Sequence, residues 1–336
     1  KLIHVSNHLY HVTQAKLAKQ LIGASFDGTV FFANSGAEMV ETAIKLVRRW
    51  GHGPGAVKGS PRSDILVMER SFHGRTTGAL SATGQAKYQE GFEPLLPGFR
   101  CVPFGDLDAV ARAVTPQTVA ILLEPIQGEG GIRVAGDAFL RGVRHVADQH
   151  TLLVICDEVQ SGMGRTGAMF AYQHSGVEPD VLLLAKTLGG GFPVGAALVK
   201  RALSDVLAPG THASTFGGNP LACACGLAVL EAIRKQRLLE RVQHLGAVLF
   251  QRLEALKARC PLIREVRGKG FMVGIELTVD GGPIVEACRR RRVLINCTQD
   301  RILRMYPAVT VTRKEIDATV EILDQVFRTV GKAGSK

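Results

Sequence analysis

Two residues able to act together close two apolar runs of this chain. Leu152-Leu153-Val154-Ile155-Cys156 ends in Asp157. Val181-Leu182-Leu183-Leu184-Ala185 ends in Lys186, and a glycine turn, Gly189-Gly190-Gly191, follows. Short apolar runs of this kind read as buried strands. A lysine closing one is expected to be buried, which is rare unless the ammonium is paired or chemically used. If the two strands are neighbours in one sheet, they bring a carboxylate and an amine to the same edge. That combination suits a pyridoxal phosphate site, with Lys186 forming the Schiff base and Asp157 keeping the pyridine nitrogen protonated. Taken alone, Asp157 also has a helix cap as its lesser reading.

Other segments could complete such a site. Asn34-Ser35-Gly36-Ala37-Glu38 lies between a strand and a helix. Free N–H groups at a helix N-terminus bind phosphate and small residues permit close approach, although an ordinary N-cap by Ser35 gives the same pattern. In Phe72-His73-Gly74-Arg75-Thr76 the phenyl ring can stack on a cofactor or pack in the core, and Arg75 can grip a carboxylate bidentately. In Glu124-Pro125-Ile126-Gln127-Gly128-Glu129-Gly130-Gly131, Glu129 sits between glycines, where loops place polar groups over sites. Glu124, at a strand end, reads as structural. Strand alternation in Asp157-Glu158-Val159-Gln160 puts Asp157 and Val159 on one side. The carboxylate then reaches the ring nitrogen, Val159 packs on the ring face, and Gln160 reaches the phenolic oxygen from the turn. Thr215, in Thr215-Phe216-Gly217-Gly218-Asn219-Pro220, offers a further phosphate ligand, and Arg304 is a cation in a strand that can face a cleft.

The elements that must position these groups alternate. Strands are predicted at 30–33, 64–68, 119–123, 152–157, 181–185 and 194–199, with helices following 33 as far as Arg49 and covering about 137–149. Strands alternating with helices imply an α/β fold with a mainly parallel sheet covered on both faces, where ligands collect at the carboxyl ends of the strands. Gly51 to Ser63 reads as a surface loop, and a long helix is expected from Pro220 to about Ala258. Strands at 270–277 and 301–306 and a helix at 313–329 then suggest a smaller α+β unit. The domain boundary is placed within 230–260, giving a large domain over 1–240 and a small C-terminal domain over 241–336. There is no internal repeat.

Bulk properties narrow the classes. The 336 residues, 46% of them apolar, are ample for two cores, and no apolar stretch is long enough to span a membrane. The chain opens at Lys1, so a native N-terminal segment is expected to be missing. Seven scattered cysteines with neither a disulfide framework nor zinc-ligand spacing point to a reducing, cytoplasmic setting and no metal. The formal charge of +11 is dispersed, apart from Arg289-Arg290-Arg291-Arg292, and aromatics are only 6%, so a nucleic-acid partner is not expected. A field that attracts dicarboxylate substrates is the simpler reading.

The ordered set of motifs resembles the class III pyridoxal-phosphate aminotransferases, which act on amino groups remote from a carboxylate. His4-Val5-Ser6-Asn7, Asn34-Ser35-Gly36-Ala37-Glu38, Ser71-Phe72-His73-Gly74-Arg75-Thr76, Glu124-Pro125-Ile126-Gln127-Gly128-Glu129-Gly130, Asp157-Glu158-Val159-Gln160-Ser161-Gly162, Lys186 with its glycines, and Thr215-Phe216-Gly217-Gly218-Asn219-Pro220 run in family order over nearly the whole chain. The resemblance implies an aspartate-aminotransferase-like fold and a role for each matching residue. Lys186 is the Schiff-base lysine, Asp157 the partner of the ring nitrogen and Gln160 that of the ring hydroxyl. Phe72 and Val159 sandwich the ring. Ser35, Gly36, Ala37 and His73 fall within the cofactor-binding segments. Thr215 serves the phosphate of the other subunit, so a homodimer with shared sites is implied. Arg304 grips an α-carboxylate, Glu129 neutralises it for the ω-amino substrate, and Arg75 is a second carboxylate binder. After Arg304 the chain reads Met305-Tyr306-Pro307, where many relatives have two prolines. The substrates implied are N2-acetylornithine as donor and 2-oxoglutarate, yielding glutamate, as acceptor. Ornithine, 4-aminobutyrate, succinylornithine and N-succinyl-diaminopimelate are alternative donors, and an aminomutase or a non-catalytic binding module are alternative activities.

Overall fold

The computed structural model describes residues 2–57 and 59–333. Along the chain come α1 (Val12–Ala24), β1 (Gly28–Ala33), α2 (Gly36–Gly51), β2 (Asp64–Met68), α3 (Thr77–Ser81), α4 (Ala86–Gln89), β3 (Phe99–Val102), α5 (Leu107–Ala113) and β4 (Thr118–Leu123). Then follow β5 (Ile126–Gln127), β6 (Arg133–Val134), α6 (Asp137–Gln149), β7 (Leu153–Asp157), β8 (Val181–Leu184), β9 (Gly195–Lys200) and α7 (Pro220–Lys235). The remainder is α8 (Leu238–Lys257), β10 (Ile263–Lys269), β11 (Met272–Leu277), α9 (Gly282–Arg290), β12 (Asn296–Thr298), β13 (Ile302–Met305) and α10 (Arg313–Ala333). Contacts divide the chain into two units: Lys1–Pro125, Ala135–Met163 and Met169–Ile233 form one, and Ile126–Val134, Gly164–Ala168 and Arg234–Lys336 the other.

The first unit is built on a seven-stranded sheet in the order β1-β9-β8-β7-β4-β2-β3. The pairs β8·β7, β7·β4, β4·β2 and β2·β3 are parallel. β4, β7 and β8 are buried along their whole length, as their uninterrupted apolar sequences require of a sheet covered on both faces. α2 packs on one face through Met39, Val40, Ala43, Ile44 and Val47, against Ile65, Ile155, Leu183 and Ala197. β9 runs antiparallel to both β8 and β1, so its amino end meets the carboxyl ends of its neighbours. The strand pattern matches the sequence expectation except for β3, whose half-exposed Phe99-Arg100-Cys101-Val102 gives no apolar run to read.

In the second unit β10-β11-β13-β12 is antiparallel throughout. α8, α9 and α10 cover it through a core that includes Leu249, Leu253, Phe271, Ile275, Ile284, Leu303 and Leu323. The helix expected as one piece from Pro220 to Ala258 is two. The chain breaks before α8 at Arg237, whose φ of 49° is left-handed and stops α7 without a proline or glycine to announce it. The β5–β6 hairpin also belongs to this unit, packing Ile126 and Ile132 on Met272 and Tyr306.

Candidate active site

The carboxyl ends of β1, β2, β4, β7 and β8 converge with the amino end of β9 around a cavity of about 360 Å³. Its walls include Asn34, Ser35, Gly36, Ala37, Phe72, His73, Glu124, Asp157, Val159, Gln160 and Lys186, with Gly191–Val194 closing the side nearest β9. Ser35, Gly36, Ala37, Phe72, His73, Asp157, Val159, Gln160 and Lys186, expected from sequence to share a site, thus come together although they span the chain from β1 to the turn after β8. β7 and β8 are parallel neighbours, so Asp157 and Lys186 do leave the same sheet edge.

Asp157 is 5% exposed and fixed from two sides. His73 Nδ1 donates to Oδ2 at 2.7 Å, and the Val159 amide donates to Oδ1 at 3.1 Å. These bonds turn the carboxylate into a defined acceptor. The bond to the amide two residues on is of the kind a helix cap makes, but the segment after Asp157 is turn rather than helix, so there is no helix for it to cap. The helix-cap alternative for Asp157 is therefore not what the structure contains. His73 is itself buried, and its Nε2 has no partner among the described residues. Burial acts against a charge on His73, but the hydrogen bond and charge of Asp157, with the charge of Glu124, outweigh it and raise the imidazole pKa. Glu124 accepts from the Phe72 amide at 3.0 Å and so fixes the loop that carries both Phe72 and His73. The long-range contact of His73 with Asp157 is the feature that sequence pattern could not supply.

At the other end of the cavity, α2 opens with Ser35 as N-cap, accepting from the Glu38 amide, while Glu38 Oε2 accepts from the Asn34 amide and the Ser35 hydroxyl. This reciprocal capping consumes the Glu38 N–H but leaves those of Gly36 and Ala37 without intrahelical acceptors. Gly36 is needed for packing as well: a Cβ there would meet Val159 Cγ1 at 2.8 Å.

Lys186 departs from expectation. It is exposed rather than buried: β8 stops at Leu184, and Lys186 stands in the turn beyond it, where the chain is covered again only at Leu188 and Gly189. Lys186 opens a 3₁₀ turn with φ 41°, a left-handed backbone that costs a residue with a side chain about 1–2 kcal/mol. Arg75 and Thr215 do not line the cavity. Arg75 is exposed, with its guanidinium 4.9 Å from the Tyr88 ring centroid and 5.7 Å from that of Phe72. Thr215 is exposed on the turn before α7.

Glu129 and Arg304 lie in the second unit and meet there. Arg304 NH1 donates to Glu129 Oε1 at 2.5 Å, and the guanidinium carbon lies 5.2 Å from the Tyr306 ring centroid. The Glu129 backbone is anchored, with its carbonyl accepting from Thr298 Oγ1 at 2.7 Å and Gln299 Nε2 at 3.1 Å. Among the described residues there is no cluster of His, Cys, Asp and Glu that could hold a metal, and no helix long and apolar enough to cross a membrane.

Sheet order, strand-end cavity and motif order define the class, and the aminotransferase class-III family model matches residues 1–327, so the chain belongs to that family. It is 47% identical over 331 residues to the acetylornithine aminotransferase of Methanocaldococcus jannaschii, covering 98% of this chain and 82% of that protein. It is 48% identical over 331 residues to the enzyme of the same name from Caldanaerobacter subterraneus subsp. tengcongensis, covering 98% and 83%. Among solved structures, the ornithine aminotransferase of Toxoplasma gondii, which carries PLP at partial occupancy in its active site, superposes with a TM-score of 0.95 at 30% identity, covering 100% of this chain and 81% of that one.

Proposed function

We propose that this class III aminotransferase moves the ω-amino group of N2-acetylornithine to 2-oxoglutarate, giving N-acetylglutamate semialdehyde and glutamate, a step of arginine biosynthesis. Pyridoxal 5′-phosphate is its cofactor, and it works as a cytoplasmic homodimer. The observation that carries the reading is one cavity holding Lys186, a doubly fixed Asp157 and unpaired helix N-terminal amides. The donor assignment is supported by the relatives of that name.

The cavity fits the cofactor by its donor set. Gly36 and Ala37 present N–H groups to a phosphate at the positive end of α2. Asp157 presents a fixed anion to a ring nitrogen, and Phe72 and Val159 supply apolar surfaces for the ring faces. Gln160 takes the ring hydroxyl. Thr215, exposed on its own subunit, serves the phosphate across a dimer interface. When bound, the cofactor supplies an aldehyde that takes up amines and a ring that accepts an electron pair.

The protein's part follows from its own groups. Lys186 Nζ would hold the cofactor aldehyde and, once freed by a donor amine, would be the base that takes up the proton from the substrate carbon. Asp157 holds the ring nitrogen protonated, and His73 holds Asp157. Two substrates of different shape use one site because Arg304 has two partners. Paired with Glu129 it is neutralised and tolerates the ω-end of the donor; released, it grips the α-carboxylate of 2-oxoglutarate or glutamate. Arg75 binds a second carboxylate. Parallel turnover assays with N2-acetylornithine, ornithine, 4-aminobutyrate and N-succinyl-diaminopimelate, each with 2-oxoglutarate, test the proposal. The highest kcat/KM is expected for N2-acetylornithine; a higher value for another donor would overturn the substrate assignment, and turnover without any keto acid would overturn aminotransfer.

A further inference from the structure

Arg304 has a second polar contact that the Glu129 pairing does not require. Arg304 lies directly opposite Asn296 in the antiparallel β12·β13 pair, and its Nε donates to Asn296 Oδ1 at 3.2 Å. A guanidinium only donates, so the amide oxygen, not the nitrogen, must face it. Three restraints therefore act on one side chain: Asn296 on the Nε edge, Tyr306 at 5.2 Å from the guanidinium carbon, and Glu129 on NH1. Only the last is a charge that can leave. The Glu129 main chain is pinned through its carbonyl, so any release of Arg304 falls to the Glu129 side chain.

We propose that Asn296 is a positioning residue for acceptor recognition. It holds the Arg304 guanidinium in place when Glu129 departs, so that the freed donors meet an incoming α-carboxylate without first having to be reoriented. This rests on the Glu129–Arg304 reading above and deepens it. Arg304 is then the fixed member of the switch and Glu129 the moving one. Without Asn296 the guanidinium keeps its charge but loses its orientation, and Glu129 competes for it on better terms.

The test uses the holoenzyme. Asn296 is exposed, so Asn296→Ala is expected to fold and bind cofactor as the parent does. For the variant, KM for 2-oxoglutarate and glutamate is expected to rise about ten-fold, the scale of a lost hydrogen bond to a charged group, with kcat little changed. The N2-acetylornithine half-reaction is expected to keep its rate. Calorimetric affinity for glutarate, a dicarboxylate that cannot react, is expected to fall by the same factor. Asn296→Asp places a permanent carboxylate on Arg304 and is expected to raise the dicarboxylate KM further. An unchanged glutarate affinity in Asn296→Ala, or an equal loss in both half-reactions, would overturn the proposal. If the parent enzyme itself did not react with glutamate, the functional reading would fail instead.

Discussion

Lys186 carries its amine on a backbone that disfavours it, with φ 41°. Lys186→Ala is expected to abolish turnover, and Lys186→Gly to do the same while unfolding at higher denaturant, by about 1 kcal/mol relative to the alanine variant, because only glycine occupies that conformation freely. Equal stability of the two would mean that the turn is not strained. Asp157→Asn keeps the shape but removes the anion; the rate is expected to fall by orders of magnitude while absorbance still reports bound cofactor. Glu158, the next residue, points into the protein and accepts from the Ala171 and Tyr172 amides at 2.5 and 2.7 Å. Burial pushes its pKa from 4.5 up to about 7, against the opposing pull of those two amides. A carboxyl raised in this way favours the fold when protonated. Its contribution is complete below the unfolded value near 4.5 and is lost as pH rises through about 7, amounting to about 3 kcal/mol across that window. Glu158→Gln is expected to lower stability at pH 5, since one amide donor then faces an NH2 group, and to flatten the decline between pH 5 and 8. A melting-temperature profile parallel to that of the parent would show that Glu158 does not titrate there. At this scale Asp157 and Lys186 are legible because each closes an apolar run, whereas His73 is legible only as part of its motif, without its partner. Nothing in a local pattern reports a contact made by strand-end loops far apart in sequence.

The elements position the site through close approach at their ends. α2 begins against β7's exit, with Gly36 beneath Val159. Gly36→Ala is expected to push Val159 toward the cavity, costing about 1–3 kcal/mol by overpacking and weakening cofactor binding, which equilibrium dialysis would measure. Unchanged affinity would show that Val159 can shift freely. Strands with near-uninterrupted apolar sequence are legible, β2 to the residue, because burial on both faces leaves a composition that a sheet interior explains. The opposite direction of β9 was not readable, since alternation and apolarity are the same for either direction. The break at Arg237 was hidden because apolar residues continue in helical spacing on both sides of it, and only the backbone angle marks the turn.

At the scale of the whole molecule, the second unit draws in Ile126–Val134 and Gly164–Ala168 from within the run of the first, a discontinuity that no composition change announces. This places Glu129 beside Arg304 despite their separation along the chain. The N-terminal stretch lies along the turn before α7, with Asn7 Nδ2 donating to Ser214 O at 2.6 Å and His4 against Phe216 with ring centroids 5.0 Å apart. Leu2, Ile3, Leu9, Tyr10, Val12 and Phe216 are all exposed there, an apolar surface that the proposed dimer would cover. Sedimentation is expected to give the mass of a dimer, and Tyr10→Asp combined with Phe216→Asp to shift it toward monomer and speed cofactor loss; a monomeric parent with full activity would remove the shared-site reading. The most direct test of the central claim is the absorbance spectrum of the cofactor-loaded protein mixed with N2-acetylornithine and no keto acid. The visible band of the aldehyde form is expected to bleach and to return when 2-oxoglutarate is added. A band that N2-acetylornithine leaves untouched, in protein that holds the cofactor, would contradict the account.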